Sequence, residues 1–305
     1  MNYTFLHVQD NPMNISSLTT RLVLTLLLVL LPLAHLHAKS LRVESDWLSA
    51  NLQQAKLLII DVRAKADYLQ GHIPGAVNFP DNLSYQNKSQ SGHIVKPDSA
   101  SKLFRSLGMD TDNKLVIYDE GSMTKSARVL WMLEVYNFSD VKILNGGFGA
   151  WQEKNFPVSK EIPDITPSQY VVQIDNNKIA SKFSTQLATI NPHQVVIDAR
   201  PQAAYQGKTS SAKRYGHIPS AVNIPVHDNF NTDTSTDNIK FLLDEQKLSK
   251  LYSDINKDNK VIIYCEAGTV SSTNYLVLRE LGYNVSNYDA SWREWGNDFN
   301  LPIEN

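Results

Sequence analysis

One side chain in this sequence is a soft sulfur nucleophile. Cys265 is the sole cysteine among 305 residues, in the run Tyr264-Cys265-Glu266-Ala267-Gly268-Thr269-Val270-Ser271. A short β-rich apolar stretch (261–264) precedes it, and a helical pattern (270–281) closed by Gly282 follows. The thiol is therefore expected in a loop between a strand and a helix. Such a loop turns backbone N–H groups and the positive end of the helix dipole toward an anion. A thiolate is stabilised there and becomes a nucleophile near neutral pH. Gly268 permits a tight turn, and Ser271 is placed to cap the helix or to donate its hydroxyl to the sulfur. A cysteine at a strand end also makes a good small core residue. A solitary thiol ahead of a helix favours chemistry over packing. One cysteine excludes an internal disulfide and a Cys-rich zinc site. The eight histidines show no metal-ligand spacing with acidic residues. No metal and no cofactor are expected.

The elements that must position this loop occur twice. Asp61-Val62-Arg63 ends the apolar run 57–60, and Asp198-Ala199-Arg200 ends the run 195–197. Gly71-His72-Ile73-Pro74-Gly75-Ala76-Val77-Asn78 returns as Gly216-His217-Ile218-Pro219-Ser220-Ala221-Val222-Asn223, and 115–118 matches 261–264. An insertion near residues 207–214 lengthens the second copy. Helical patterns at 99–107 and 124–136 alternate with the strands of the first copy, and patterns at 243–252 and 270–281 with those of the second. The helix at 124–136 places Ala127, Leu130, Trp131 and Val135 on one face. Strand–helix alternation predicts an α/β protein of two tandem domains, each a mainly parallel sheet flanked by helices. The predicted domains span 40–158 and 170–305, joined by a polar, proline-marked linker at 159–169.

Ligands bind beyond the carboxyl ends of such strands. There the first copy carries Asp119-Glu120-Gly121-Ser122. A carboxylate suits a helix N-terminus but holds no transferable sulfur, so the first half is expected to be catalytically silent, contributing a cleft wall and a packing interface. The Asp-x-Arg and Gly-His-Ile-Pro elements recur in the half without a thiol, which marks them as structural. His72 and His217 are expected to be fixed by hydrogen bonds around a turn. Asp198 and Arg200, at a strand end, are candidates to border the cleft. The aromatic stretch 288–295 reads as core packing.

Composition bounds the partners. Lys plus Arg (29) nearly balances Asp plus Glu (31), for a net charge of −2, so nothing in the charge draws the chain to nucleic acid. An apolar run at 22–33, led by Arg21 and followed by Ala38, is too short to span a bilayer and fits a secretory signal peptide at 1–38, cut after Ala38. The mature chain is expected in an exported, periplasmic location without stable membrane association.

These residues resemble the rhodanese superfamily, specifically its two-domain sulfurtransferases, over residues 40–305. Tyr68, His72-Ile73-Pro74-Gly75-Ala76 and Phe79 match the first-domain signature, 288–295 resembles the C-terminal one, and Asn145-Gly146-Gly147-Phe148 with Trp151 matches the usual end of the first domain. The resemblance implies an inactive first domain with Asp119 in the cysteine's place. It implies a nucleophilic Cys265 that takes sulfur from thiosulfate or 3-mercaptopyruvate and passes it, as a persulfide, to cyanide or another thiophilic acceptor. The chain departs from the family at Glu266 and Ala267, where thiosulfate-type enzymes carry basic residues, at Ala204, where many members carry a donor-holding arginine, and at Val270. These losses leave the loop without a cation for a dianionic donor, and Glu266 adds repulsion. A donor of lower charge, a persulfide carrier with little turnover, and a degenerate scaffold are the competing readings. The phosphatase branch of the fold is set aside because Ser271 stands where its phosphate-holding arginine would be.

Overall fold

The computed structural model describes residues 40–87, 92–236 and 238–305, together with residues 1, 3 and 4. The apolar run and cleavage site of the expected signal peptide lie outside the described residues. No helix among the described residues is long and apolar enough to cross a membrane.

The first half holds β1 (Arg42–Val43), α1 (Ser45–Asn51), β2 (Leu57–Asp61), α2 (Lys65–Gln70), β3 (Val77–Asn78), α3 (Pro97–Ser106), β4 (Lys114–Tyr118), α4 (Thr124–Val135), β5 (Val141–Leu144) and α5 (Gly147–Glu153). The second repeats this as β6 (Ile179–Ala180), α6 (Lys182–Ala188), β7 (Gln194–Asp198), α7 (Gln202–Tyr205), β8 (Val222–Asn223), α8 (Glu245–Leu251), β9 (Lys260–Tyr264), α9 (Ser271–Glu280), β10 (Asn284–Tyr288) and α10 (Ser291–Trp295). The strand orders are β1-β5-β4-β2-β3 and β6-β10-β9-β7-β8, with every pairing parallel. Parallel strands covered on both faces need continuous apolar runs, and the inner strands supply them. The two sheets also share a register: Asp61 pairs with Tyr118, and Asp198 with Tyr264. Asp119 and Cys265 therefore leave equivalent ends of the central strands β4 and β9. The two-residue edge strands β1, β3, β6 and β8 are too short to carry a period.

The halves join through α4 and α9. Both helices are buried nearly all round, from Ser126 to Val135 and from Ser271 to Leu278, because each has its own sheet on one side and the other helix on the opposite side. One apolar cluster runs through both halves, with Leu130 and Trp131 on one side and Leu276 and Val277 on the other. Polar ties flank it. Glu134 accepts from Tyr275 Oη and from Arg279 Nε at 3.1 Å, and Arg42 pairs with Glu280 at 2.9 Å. Tyr170, where the sequence places the start of the second domain, stacks on Phe138 at 5.1 Å and donates to Tyr136 O at 2.8 Å. That segment lies on the first half before β6 opens the second sheet.

Candidate active site

The strand end that carries Cys265 is held from below. Tyr264 Oη donates to Asp198 Oδ2 at 2.6 Å and accepts from Ile218 N at 3.1 Å. Arg200 Nε reaches both oxygens of Asp198 at 3.0 Å, and Arg200 Nη2 donates to Asp198 Oδ2 at 2.6 Å and to Gly216 O at 2.8 Å. The first half repeats this with Asp61, Arg63, Gly71 and Tyr118. Burial and Asp198 together push the Tyr264 hydroxyl well above its ordinary range, so it stays protonated and keeps donating. Asp198 and Arg200 are thus buried against each other beneath the loop. His217 Nδ1 meets Tyr205 O at 2.8 Å with its ring stacked on Tyr205, and His72 sits likewise on Tyr68.

Cys265 is 1% exposed. Its N–H donates to Ser291 Oγ at 3.1 Å, and its carbonyl accepts from Trp292 N at 3.1 Å. The following loop turns at Gly268, whose φ is +71°. Gly268 O accepts from Ser272 Oγ at 2.9 Å and from Asn287 Nδ2 at 3.2 Å, which ties the loop to α9 and β10. Among the described residues, no backbone N–H from Glu266 to Ser271 donates to a protein acceptor. This is a run of open donors beside a buried sulfur.

The first half shows what such a loop holds. Asp119 Oδ1 accepts from the N–H of Gly121 at 2.9 Å and Met123 at 3.1 Å. Asp119 Oδ2 accepts from the N–H of Lys125 at 3.2 Å and Ser126 at 3.3 Å, and the hydroxyls of Ser122 and Ser126 also donate to it. Burial and Glu120 push this carboxyl up, against the pull of the amides. Counting the same steps from Cys265 gives the N–H groups of Ala267, Thr269, Ser271 and Ser272; that of Ser272 instead donates to Thr269 O at 3.1 Å.

One expectation is corrected. Ser271 neither caps the helix nor reaches the sulfur: it is the first residue of α9, and its hydroxyl donates to Asn287 Oδ1 at 2.8 Å, the acceptor that β10 offers below it. Ser211 in the inserted segment donates to the Glu266 carboxylate, which orients the group and leaves its negative charge in place. A cation does meet the loop on its buried carbonyl side. Arg128, on α4 of the first half, sends Nη1 to Gly268 O at 3.2 Å.

Other first-half residues also close on the loop. Tyr85 Oη shares a hydrogen bond of 2.6 Å with Thr269 Oγ1, and Gly92 packs so tightly against Ala267 O that a Cβ there would lie 2.4 Å from it. Ile94 N donates to Asp289 Oδ2 at 2.7 Å, and His93 Nδ1 lies 3.3 Å from Asp289 Oδ1. The sequence signal for Arg128 was an arginine on a helix otherwise bound for burial. Ala204, in α7, is buried. Val270 precedes α9 and accepts from Thr273 N at 3.0 Å. A cavity of about 890 Å³ between the halves is lined by His93, Lys96, Phe183, Tyr288, Asp289 and Glu294; Cys265 is not on its wall. Among the described residues no cluster of side chains suits a metal ion.

Known proteins share this arrangement. The chain is 28% identical over 277 residues to 3-mercaptopyruvate sulfurtransferase of Escherichia coli K12, covering 86% of this chain and 97% of that one. It is 30% identical over 284 residues to thiosulfate sulfurtransferase of Corynebacterium glutamicum, covering 86% and 89%. The crystal structure of SseA from Escherichia coli, described as a rhodanese fold, matches with a TM-score of 0.73 at 26% identity, over 83% of this chain and 99% of that one. The family model for the rhodanese-like domain matches residues 44–154 and again 164–298. Each match takes in the inner strands of one sheet, and the chain belongs to the rhodanese-like family.

Proposed function

We propose that the protein is a sulfurtransferase that carries sulfur on Cys265. The reading rests on the two equivalent loops. One is filled by a carboxylate held on four backbone N–H groups; the other sets the only thiol beside open N–H groups. The Cys265 thiolate attacks the outer sulfur of a donor such as thiosulfate. The donor S–S bond breaks, sulfite leaves with the bonding pair, and a Cys265 persulfide anion remains. Cyanide or another thiophilic acceptor then attacks the terminal sulfur, and the pair returns to Cys265 as its thiolate. Splitting the transfer through a covalent intermediate replaces one hard step by two easier ones, and fixed amide dipoles stabilise the anion at each stage. With 3-mercaptopyruvate the C–S bond breaks instead and the pyruvate enolate takes a proton from water. Ala204, Glu266 and Ala267 put no cationic side chain where a dianion would dock, which favours this less charged donor.

Intact-mass measurement tests the reading. Thiosulfate or 3-mercaptopyruvate should add the mass of one sulfur atom to the wild type and nothing to Cys265→Ser. Repeated release of sulfite with cyanide present marks an enzyme, whereas one stoichiometric loading marks a carrier. A Cys265 that takes no sulfur from either donor, yet still alkylates, refutes it. We also infer export, supported by the apolar run 22–33 behind Arg21. The mature protein should begin at Lys39 in a periplasmic fraction, and a full-length chain confined to the cytosol counts against export.

A further inference from the structure

We propose that Arg128, supplied by the first half, is the counter-charge for the anionic sulfur at Cys265, so that the catalytically silent half completes the electrostatics of the other half's site. The inference rests on reading Cys265 as the sulfur carrier and assigns a positioning role to a residue outside its loop.

Arg128 is fully buried and has no carboxylate within ion-pair distance among the described residues. Its guanidinium sits in a cage of two rings and two carbonyls. The ring of Tyr85 lies 4.3 Å away and that of Trp131 4.6 Å away, while Nη1 donates to Gly268 O and Nη2 to Gly92 O at 2.7 Å. Arg128 Nε has no partner. Rings and carbonyls offset part of the desolvation of a buried cation, but a charge held without an anion remains costly. Burial accordingly pulls the Arg128 guanidinium below its ordinary range, against Tyr85, Asp289 and, after them, Cys265.

The other ionisable groups around this place make their short contacts elsewhere. Asp289 accepts from Ile94 N and Ala290 N and faces His93. Glu266 accepts from Ser211, Glu294 accepts from Tyr288 Oη, and Asp198 holds Arg200. Asp81 acts on Arg128 only at a distance, and Tyr85 shares its hydroxyl with Thr269. A thiolate or persulfide at Cys265 is the group whose charge the chemistry creates on the loop that this cation holds. Through Gly268 O, Arg128 also fixes the carbonyl face of the loop, leaving the N–H groups to the sulfur.

The test is the pH profile of Cys265 alkylation by iodoacetamide, a neutral reagent, on the full chain. Arg128→Gln should react about tenfold more slowly than wild type at pH 7, since one opposite charge close by is worth about one unit of ionisation, and should converge with it in alkali. Arg128→Lys, which keeps the charge, should recover at least half of the loss. Glu134→Gln loosens the same helix pair two turns away and should leave the profile in place. A Gln variant that follows the wild-type profile, or that stays slow by the same factor in alkali, overturns the proposal. If Arg128→Gln does not fold, Arg128→Lys decides: a rate within about twofold of wild type at pH 7 supports the proposal, and a profile moved to alkali overturns it. Sulfur loading of the wild type is scored separately, so a failure of the transfer reading is seen independently of the alkylation result.

Discussion

Replacing Gly268 by alanine places a Cβ 2.5 Å from Asp289 O, 2.7 Å from Asp289 Cα and 3.0 Å from Arg128 Nη1. Two of these three atoms are backbone, so the strand end or the loop must move. Two terms add. The left-handed conformation costs an L-residue roughly 1–2 kcal/mol, and forcing a methyl group into closed packing costs about 1–3 kcal/mol more. Gly282 supplies the control: its φ is +83° and nothing lies within 4 Å of its Cβ position. Gly282→Ala should lose the first term alone, and Gly268→Ala both, a difference of about 1–3 kcal/mol in urea unfolding. The core cluster shared by the two halves calls for a single unfolding transition in which to compare them. The same displacement shifts the carbonyl that Arg128, Ser272 and Asn287 share, and misplacement by about 1 Å at a reacting centre costs on the order of a hundredfold in rate. Sulfur loading of Gly268→Ala should fall accordingly, while that of Gly282→Ala should not. Equal destabilisation of the two variants would show that the loop yields freely at this point, and the account of a rigid donor array would be wrong.

Asp119→Asn turns an amide NH₂ toward donors that the carboxylate now accepts, leaving buried N–H groups unpaired; it should cost about 1–3 kcal/mol of stability without preventing sulfur loading at Cys265. The hydrogen bond to Asp289 raises the His93 pKa above its ordinary value. The contact therefore stabilises fully below about pH 6.5 and fades as the pH climbs through the raised value. His93→Asn should be less stable than wild type at pH 5.5, by under about 1 kcal/mol because the ring is half exposed, and equal to it above pH 8; a gap that widens with pH would contradict the pairing. Glu266→Gln removes a negative charge from the loop and should lower the KM for thiosulfate about threefold with kcat unchanged. An unaltered KM would place that carboxylate away from the donor's path.

Much of the fold was legible because parallel strands covered on both sides must be written in unbroken apolar letters, as at 57–60 and 261–264. The recurrence of Asp-x-Arg and Gly-His-Ile-Pro then set the two copies in register. The sequence also put Cys265 and Asp119 at matching strand ends, since both immediately follow the central runs. What escaped was contact across the halves. The period of α4 shows which residues leave water but not which foreign loop they meet, so nothing in it singled out Arg128. Spacing also fixes where a hydroxyl begins without fixing where it ends: Ser271 found Asn287 on a strand that comes later in the chain. The meeting of Ser211 with Glu266 joins an insertion to a loop more than fifty residues downstream, and no local pattern encodes that.

Helices α4 and α9 have almost no wet side. A protease nick in the connecting stretch should therefore leave the fragments clasped together, and a gene trimmed to encode only the cysteine-bearing portion would deliver α9 to solvent as a greasy, self-associating rod. The duplication therefore works as a ratchet. The copy without a thiol cannot be discarded, because its neighbour relies on it for shelter.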